Sequence, residues 1–349
     1  LGGLLAAATA KFLMKAYKLH EPKNLENFRQ GTYEEPTVRD YEVKIQVKAT
    51  SLNYRDWALA NGWFGYPGEV LPMIPFSDAA GLVTEVGEGV TKVQVGDRVA
   101  INFFPDWADG AFSAAKTLRS LGGSTDGVLA EYVTFPETAV VKVPDAFSFE
   151  EAAAFPCAGV TAWHSLVEQA QLRPGDTVLL QGTGGVSIFA LQIAKLFGAQ
   201  VIITSSSDEK LAQAKALGAD HLINYKTTPN WEDQVKELTN GVGATYVLEV
   251  AGQMARSLRA LAPGGTIFQI GQVAPSDEAP NLRMVPLFTQ RIQGIYVGST
   301  QMLADLIRAF DSNQIKPIIS HTFGFDEAKD ALAHMGNGAH FGKIVVRVG

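Results

Sequence analysis

Two clusters in this 349-residue chain have the residue types and spacing that chemistry needs. The first is Gly182, Thr183, Gly184, Gly185 and Val186, inside Thr177–Gly198 (TVLLQGTGGVSIFALQIAKLFG). A short apolar strand pattern at Thr177–Leu180 runs into the glycines, and Ile188–Phe197 then carries apolar residues at helical spacing. Strand, glycine turn and helix form the context in which a GxGxxG pattern marks a dinucleotide site. The helix N-terminus offers unpaired amides and a positive dipole end to a pyrophosphate. Ser187 stands where the third glycine belongs. A glycine turn of this kind also suits plain packing, and both readings stay open on this stretch alone.

The second cluster lies about 20 residues on, where a dinucleotide fold meets the adenosine ribose. An acidic residue there accepts a bond from the 2′-hydroxyl of NAD. This chain reads Val201–Lys210, VIITSSSDEK, with Ser205, Ser206 and Ser207 at the strand end and no carboxylate at its tip. Asp208 and Glu209 fall later, where they suit the first turn of the next helix. Hydroxyls and the Lys210 charge would welcome a 2′-phosphate that a carboxylate would repel. Tyr225, after the following strand, adds a hydroxyl or a ring for the adenine. The expected cofactor is therefore NADP(H). The competing account is an N-capping serine run with a solvated lysine.

The elements that must position these clusters are legible in outline. From Met14 to about Ala139 the pattern is strands and turns, as in the period-two alternation of Tyr41–Thr50, Ala79–Val86, Lys92–Ala100 and Val128–Phe135. Ile101–Gly127 reads as a long aromatic-bearing insertion. Phe149–Phe155 and Gly159–Gln169 read as helices, and from Thr177 to Ile270 strands alternate with helices. Such alternation predicts a parallel sheet covered on both faces. Met302–Phe310 and Asp326–Met335 read as helices. The closing strand Lys343–Val348 suits either the first domain or an extension of the sheet. Length favours two domains. Apolar content of 46% with 19% charged residues describes a folded globular chain. A net charge of −7 argues against nucleic acid as partner. The single cysteine, Cys157, excludes an internal disulfide and fits a reducing, cytoplasmic setting. Leu1–Leu13 lacks a basic leader pattern and is too short to span a bilayer, so it reads as an extension outside the fold. No membrane association is expected.

With these residues placed, the chain resembles the medium-chain dehydrogenase/reductase superfamily from Met14 to Gly349. The resemblance rests on Asp78–Ala100 (DAAGLVTEVGEGVTKVQVGDRVA), Phe155–Leu166 (FPCAGVTAWHSL), Leu172–Gln192 (LRPGDTVLLQGTGGVSIFALQ) and Phe341–Val346 (FGKIVV), four blocks in order. It implies an α/β protein with a GroES-like β-rich substrate domain (14–150 and 299–349) around a Rossmann doubly wound parallel sheet (151–298), with the closing strand returning to the first domain. It carries Thr161 to the nicotinamide region and Gly184, Gly185 and Val186 to the pyrophosphate. Ile270–Gly271, Val297–Gly298 and Phe341–Lys343 correspond to backbone near the carboxamide or ribose.

Zinc-dependent members of the superfamily bind the catalytic metal through a cysteine, a His-Glu pair and a further cysteine. The corresponding residues here are Asn53, Ser77–Asp78 and Cys157, a poor set for a metal that prefers nitrogen and sulfur donors. No metal is expected, and Cys157 reads as a small buried thiol. The zinc-free branch is similar to quinone oxidoreductases and enone reductases. The implied chemistry is hydride transfer from NADPH to a quinone or to an activated C=C bond of an α,β-unsaturated carbonyl. Tyr54 and Asn53 in SLNYRD are the candidate donors to the developing negative charge. Asp56 reads as an orienting residue because of its low reference pKa, and Arg55 as surface-facing. Trp57, Trp63, Phe64, Phe103 and Phe104 suit an apolar cleft or simple core. The histidines at 164, 221, 321, 334 and 340 show no metal spacing and read as structural or exposed. A metal-free alcohol/aldehyde dehydrogenase and a non-catalytic NADPH-binding protein are the alternatives. Superfamily members commonly pair the last Rossmann strand, here Arg291–Val297, which implies a homodimer.

Overall fold

The computed structural model describes residues 12–62, 71–273 and 278–349; Trp63, Phe64 and most of the N-terminal extension lie outside them. The chain opens with β1 (Leu13–Leu19), β2 (Phe28–Glu34), β3 (Glu42–Ser51) and the short helix α1 (Tyr54–Ala60). β4 (Asp78–Val86), β5 (Arg98–Ile101), β6 (Tyr132–Pro136) and β7 (Val140–Lys142) follow. The alternation in β3 is the alternation of burial: Val43, Ile45, Val47 and Ala49 are buried, with half-exposed residues between them. The strand expected from Lys92 starts only at Arg98. Asp97 Oδ2 accepts from Gln94 N at 2.9 Å and closes a turn there instead. The strand expected from Val128 likewise begins at Tyr132.

A helical run then covers residues 149–169. α2 (Phe149–Ala154) passes through a π-type turn at Phe155–Gly159 into α3 (Val160–Trp163) and a second one at His164–Gln169. Strand and helix then alternate as the sequence predicts: β8 (Thr177–Gln181), α4 (Gly185–Leu196), β9 (Gln200–Ser205), α5 (Asp208–Ala216), β10 (His221–Asn224), α6 (Trp231–Leu238), β11 (Ala244–Glu249), α7 (Met254–Ala260) and β12 (Leu261–Gln269). The chain finishes with α8 (Met284–Leu287), β13 (Arg291–Gly294), α9 (Thr300–Ser312), β14 (Ile319–Phe323), α10 (Ala328–Gly336) and β15 (Lys343–Arg347).

The parallel sheet runs β10-β9-β8-β11-β12-β13. Counted within this unit, that is the order 3-2-1-4-5-6, which reverses direction between β8 and β11 and places a ligand crevice at their carboxyl ends. Val178, Leu179 and Leu180 are fully buried because helices cover both faces. Ser187 sits in the third glycine's place without penalty, its buried hydroxyl donating to Gln181 O at 2.8 Å. The second sheet runs β14-β15-β3-β4-β5-β7, with β6 also on β3. β15 pairs antiparallel with β3, Val345 opposite Ser51, so the end of the chain returns to the first sheet. Helix α9 packs Leu303, Leu306 and Phe310 into one core with Val160 and Phe189. The same core also takes in Ala49 and Ala80 of the second sheet and Phe103 just beyond β5, so it is continuous across both.

Candidate functional site

The crevice at the β8–β11 reversal is built from glycines for identifiable reasons. Gly182 adopts φ +71°, a left-handed conformation that side chains resist. A Cβ on Gly185 would stand 2.9 Å from Lys343 Cδ and 3.0 Å from Ala158 Cβ. Gly184 is the extended N-cap of α4, so the helix opens its free amides onto this turn. The last loop of the chain lies over the turn, with Gly342 N donating to Thr183 O at 2.9 Å. An open, glycine-lined helix N-terminus at a sheet reversal fits the pyrophosphate of a dinucleotide.

The residues expected at the ribose end lie together at the tip of β9. Ser205 Oγ accepts from Ser207 N at 3.2 Å, and Ser207 caps α5 by accepting from Lys210 N at 3.3 Å. Tyr225 N donates to Ser205 O at 3.1 Å, which brings Tyr225 against the strand tip with its ring exposed. Ser206 is half-buried beside them. Asp208 is turned to Asn224 Nδ2 at 2.7 Å. Lys210 reaches across to Gly338 O at 2.7 Å, while the Ser207 cap is the one the competing account expects.

Thr161 is buried in α3, its hydroxyl donating to Cys157 O at 2.7 Å. Ile270 N and Gly271 N donate to Glu249 O at 3.0 and 3.2 Å. Glu249 itself is fully buried, its Oε1 accepting from the amides of Ala251, Gly252 and Gln253 and its Oε2 from Gln181 Nε2. It thus fixes the ends of β8 and β11 together. Val297 O lies 2.7 Å from His164 Nδ1, and Gly298 O accepts from Asn102 Nδ2 at 3.3 Å. Val186 is half-buried in the first turn of α4, and Phe341 is buried in the core.

Below the crevice, the four positions that correspond to the metal ligands of zinc-dependent relatives are brought together. Asn53 Nδ2 donates to Ser77 Oγ at 3.4 Å, Ser77 Oγ to Asp78 Oδ1 at 2.7 Å, and Cys157 N to Asp78 Oδ2 at 3.2 Å. Lys343 enters the same pocket, its Nζ donating to Leu52 O and Asn53 Oδ1 at 2.7 Å each and approaching Asp78 Oδ2 at 3.5 Å. Both charged residues are buried, Lys343 at 2% and Asp78 at 0% exposure. An amide, a hydroxyl and a carboxylate beside a lysine ammonium do not fit a divalent zinc ion. Burial, then the Asp78 charge, also pushes the Cys157 thiol up and keeps it protonated. Among the described residues no group of three or more His, Cys, Asp or Glu could hold a metal ion.

Two expectations need correction. Asp56 does orient the segment, its Oδ2 accepting from Asn53 N at 2.7 Å, but burial raises its pKa to about 6, so the low reference value does not apply. Arg55 does not face solvent. It donates to Leu121 O at 2.7 Å and lies over the Phe103 ring at 4.6 Å. Of the two readings open for Phe103 and Phe104, full burial gives the core one. His321 and His334 pack against each other at a tilt, ring centroids 4.0 Å apart, as structural histidines do, whereas His340 faces the glycine turn. Tyr54 spans the crevice, its hydroxyl donating to Val273 O at 3.1 Å. A cavity of about 640 Å³ lies elsewhere, between β13 and α9 against Trp107, Phe112, His164 and Tyr296.

Comparison with known proteins agrees with this architecture. Residues 39–145 match the alcohol dehydrogenase GroES-like domain, and residues 185–312 match the zinc-binding dehydrogenase domain. A zinc-type alcohol dehydrogenase-like protein of Schizosaccharomyces pombe is 42% identical over 342 residues, covering 95% of this chain and 99% of that protein. The 2-methylene-furan-3-one reductase of Solanum lycopersicum is 32% identical over 316 residues, 89% of this chain and 73% of that protein. The crystal structure of an NAD-dependent alcohol dehydrogenase superposes with a TM-score of 0.88 at 34% identity, covering 96% of this chain and all of that one. Two matching family domains and a relative 42% identical over 99% of its length leave one assignment: the chain belongs to the medium-chain dehydrogenase/reductase superfamily of oxidoreductases.

Proposed function

We propose that this protein is a zinc-independent, NADPH-dependent reductase that transfers hydride to quinones or to the activated C=C bond of α,β-unsaturated carbonyls. The observation that carries the reading is the Lys343 ammonium among Asn53, Ser77, Asp78 and Cys157. A fixed monovalent cation in that pocket repels a divalent ion and competes for the same oxygens. The carboxylate-free tip at Ser205–Lys210 supports a 2′-phosphorylated cofactor. The likeness to a furanone reductase supports the enone substrate class.

When bound, a nicotinamide cofactor supplies the hydride. The amides of Gly184, Gly185 and Val186 hold its pyrophosphate, while Ser205, Ser206, Lys210 and Tyr225 hold the adenosine end. Thr161, Ile270–Gly271, Val297–Gly298 and Phe341–Lys343 frame the nicotinamide side. The three N–H donors of the Lys343 ammonium are directed at Leu52 O, Asn53 Oδ1 and Asp78, so Lys343 acts as a fixed positive charge and not as a proton donor. Tyr54 is the proton donor, released from Val273 O when the crevice takes up substrate. Such substrates delocalise the developing negative charge and need only orientation and a hydrogen bond.

Domain limits of 14–150 with 299–349, against 151–298, belong to the same reading. A homodimer would pair β13, which among the described residues is paired only with β12 and leaves Ile292 and Tyr296 exposed. No helix among the described residues is long and apolar enough to cross a membrane, and a cytoplasmic enzyme is the reading that accompanies the single cysteine.

NADPH oxidation should be followed with 1,2-naphthoquinone, an enone, an enal and a simple aldehyde, with and without a chelator. Turnover of the quinone or enone that survives chelation is the expected result. Loss of activity on chelation, or activity confined to the aldehyde, would overturn it in favour of an alcohol dehydrogenase. Tight cofactor binding without any turnover would favour a non-catalytic role.

A further inference from the structure

The loop that closes over the glycine turn brings an imidazole with it. Gly184 and Gly342 form an isolated parallel bridge. Among the described residues, His340 Nε2 is the one group within 4 Å of where a Cβ on Gly184 would stand, at 3.8 Å. The other ring nitrogen, Nδ1, is buried and has no hydrogen-bond partner among the described residues. Buried polar atoms are nearly always paired, and an orphan next to a binding crevice asks for a reason. With the hydrogen on Nε2 the donor lies toward the turn, and Nδ1 stays a buried acceptor without a partner among the described residues.

We propose that His340 is a pyrophosphate-binding residue, donating from Nε2 to the anion that the first amides of α4 hold from the opposite side. The inference rests on the dinucleotide reading of this crevice. The surroundings suit an anion. Lys210 on α5, Lys343 on β15, His334 on α10 and His321 on β14 all act on the ring as cations or potential cations. Burial first, and then these groups, lower the His340 pKa to about 4, so the ring meets the ligand neutral with its donor intact. Lys210, through its bond to Gly338 O, ties the same loop to the ribose end.

The test uses isothermal titration of the full chain with ADP-ribose, which carries the pyrophosphate, and with adenosine 2′-monophosphate, which does not. His340→Gln keeps a donor at the Nε2 position, whereas His340→Asn keeps only one at Nδ1. We expect His340→Asn to weaken ADP-ribose about tenfold or more, as loss of a charge-assisted hydrogen bond does. Adenosine 2′-monophosphate should stay within about twofold and His340→Gln near wild type. Equal ADP-ribose affinity in wild type and His340→Asn overturns the proposal while leaving dinucleotide binding intact. Equal weakening of both probes in both variants overturns it too, because His340 is then only structural. A wild-type chain that binds neither probe overturns the dinucleotide reading and the proposal with it.

Discussion

Lys343 Nζ lies 2.7 Å from Asn53 Oδ1, joining the last strand of the chain to the N-cap of its first helix. The bond sits in a buried pocket that also holds the Asp78 carboxylate, 3.5 Å from the same ammonium. Neither charge reaches water, so each depends on the other.

Removing one partner should be costly. Lys343→Met leaves Asp78 buried without its cation and should lower stability by about 3–5 kcal/mol in urea unfolding. Pairing it with Asp78→Asn should recover much of that loss, since a neutral pocket has no stranded charge. A single variant within about 1 kcal/mol of wild type would show that the pair is not mutually dependent.

Lys210 tests cofactor choice. If it meets a 2′-phosphate, Lys210→Ala should raise KM for NADPH by about tenfold or more and leave KM for NADH nearly unchanged, since a charge-assisted contact is lost from one ligand only. Parallel rises for both cofactors would assign Lys210 to the Gly338 contact alone.

His340 gives stability an acid-side dependence with a definite sign. The ring's pKa falls from 6.5 in the unfolded chain to about 4 in the folded one. Above pH 6.5 both states are neutral and the group contributes nothing. As pH falls through that value the unfolded chain takes a proton that the folded chain refuses, so stability declines down to about pH 4. The total loss is on the order of 3 kcal/mol. In His340→Gln this part of the decline should be absent when thermal unfolding is compared at pH 7 and pH 4.5; an unchanged slope would refute the assignment.

Tyr54 is the proposed proton donor, and Tyr54→Phe isolates its hydroxyl. A loss of about a hundredfold in kcat with little change in KM is expected. Unchanged turnover would hand the proton to solvent. A rise in KM alone would instead assign the hydroxyl to the Val273 bond that spans the crevice.

The sequence by itself determined the alternation of strand and helix after Thr177, the glycine turn at Gly182–Gly185, the serine-lined strand end and the return of β15 implied by the family resemblance. These features are local: period-two and helical spacing record which face of a segment is buried, and glycines record where the backbone turns left-handed or passes close to a neighbour. Only the tertiary structure decided that Lys343 runs into the pocket of Asn53 and Asp78, that His340 lies over Gly184, and that Arg55 packs on Phe103. Each of these joins residues far apart in the chain: Lys343 on β15 meets Asp78 on β4 across the intervening β3 of one sheet, and His340 crosses to the glycine turn of the other. Periodicity says that a side chain is covered; it carries no information about which distant group covers it, and that partner sets whether a lysine, a histidine or a carboxylate is structural or part of the site.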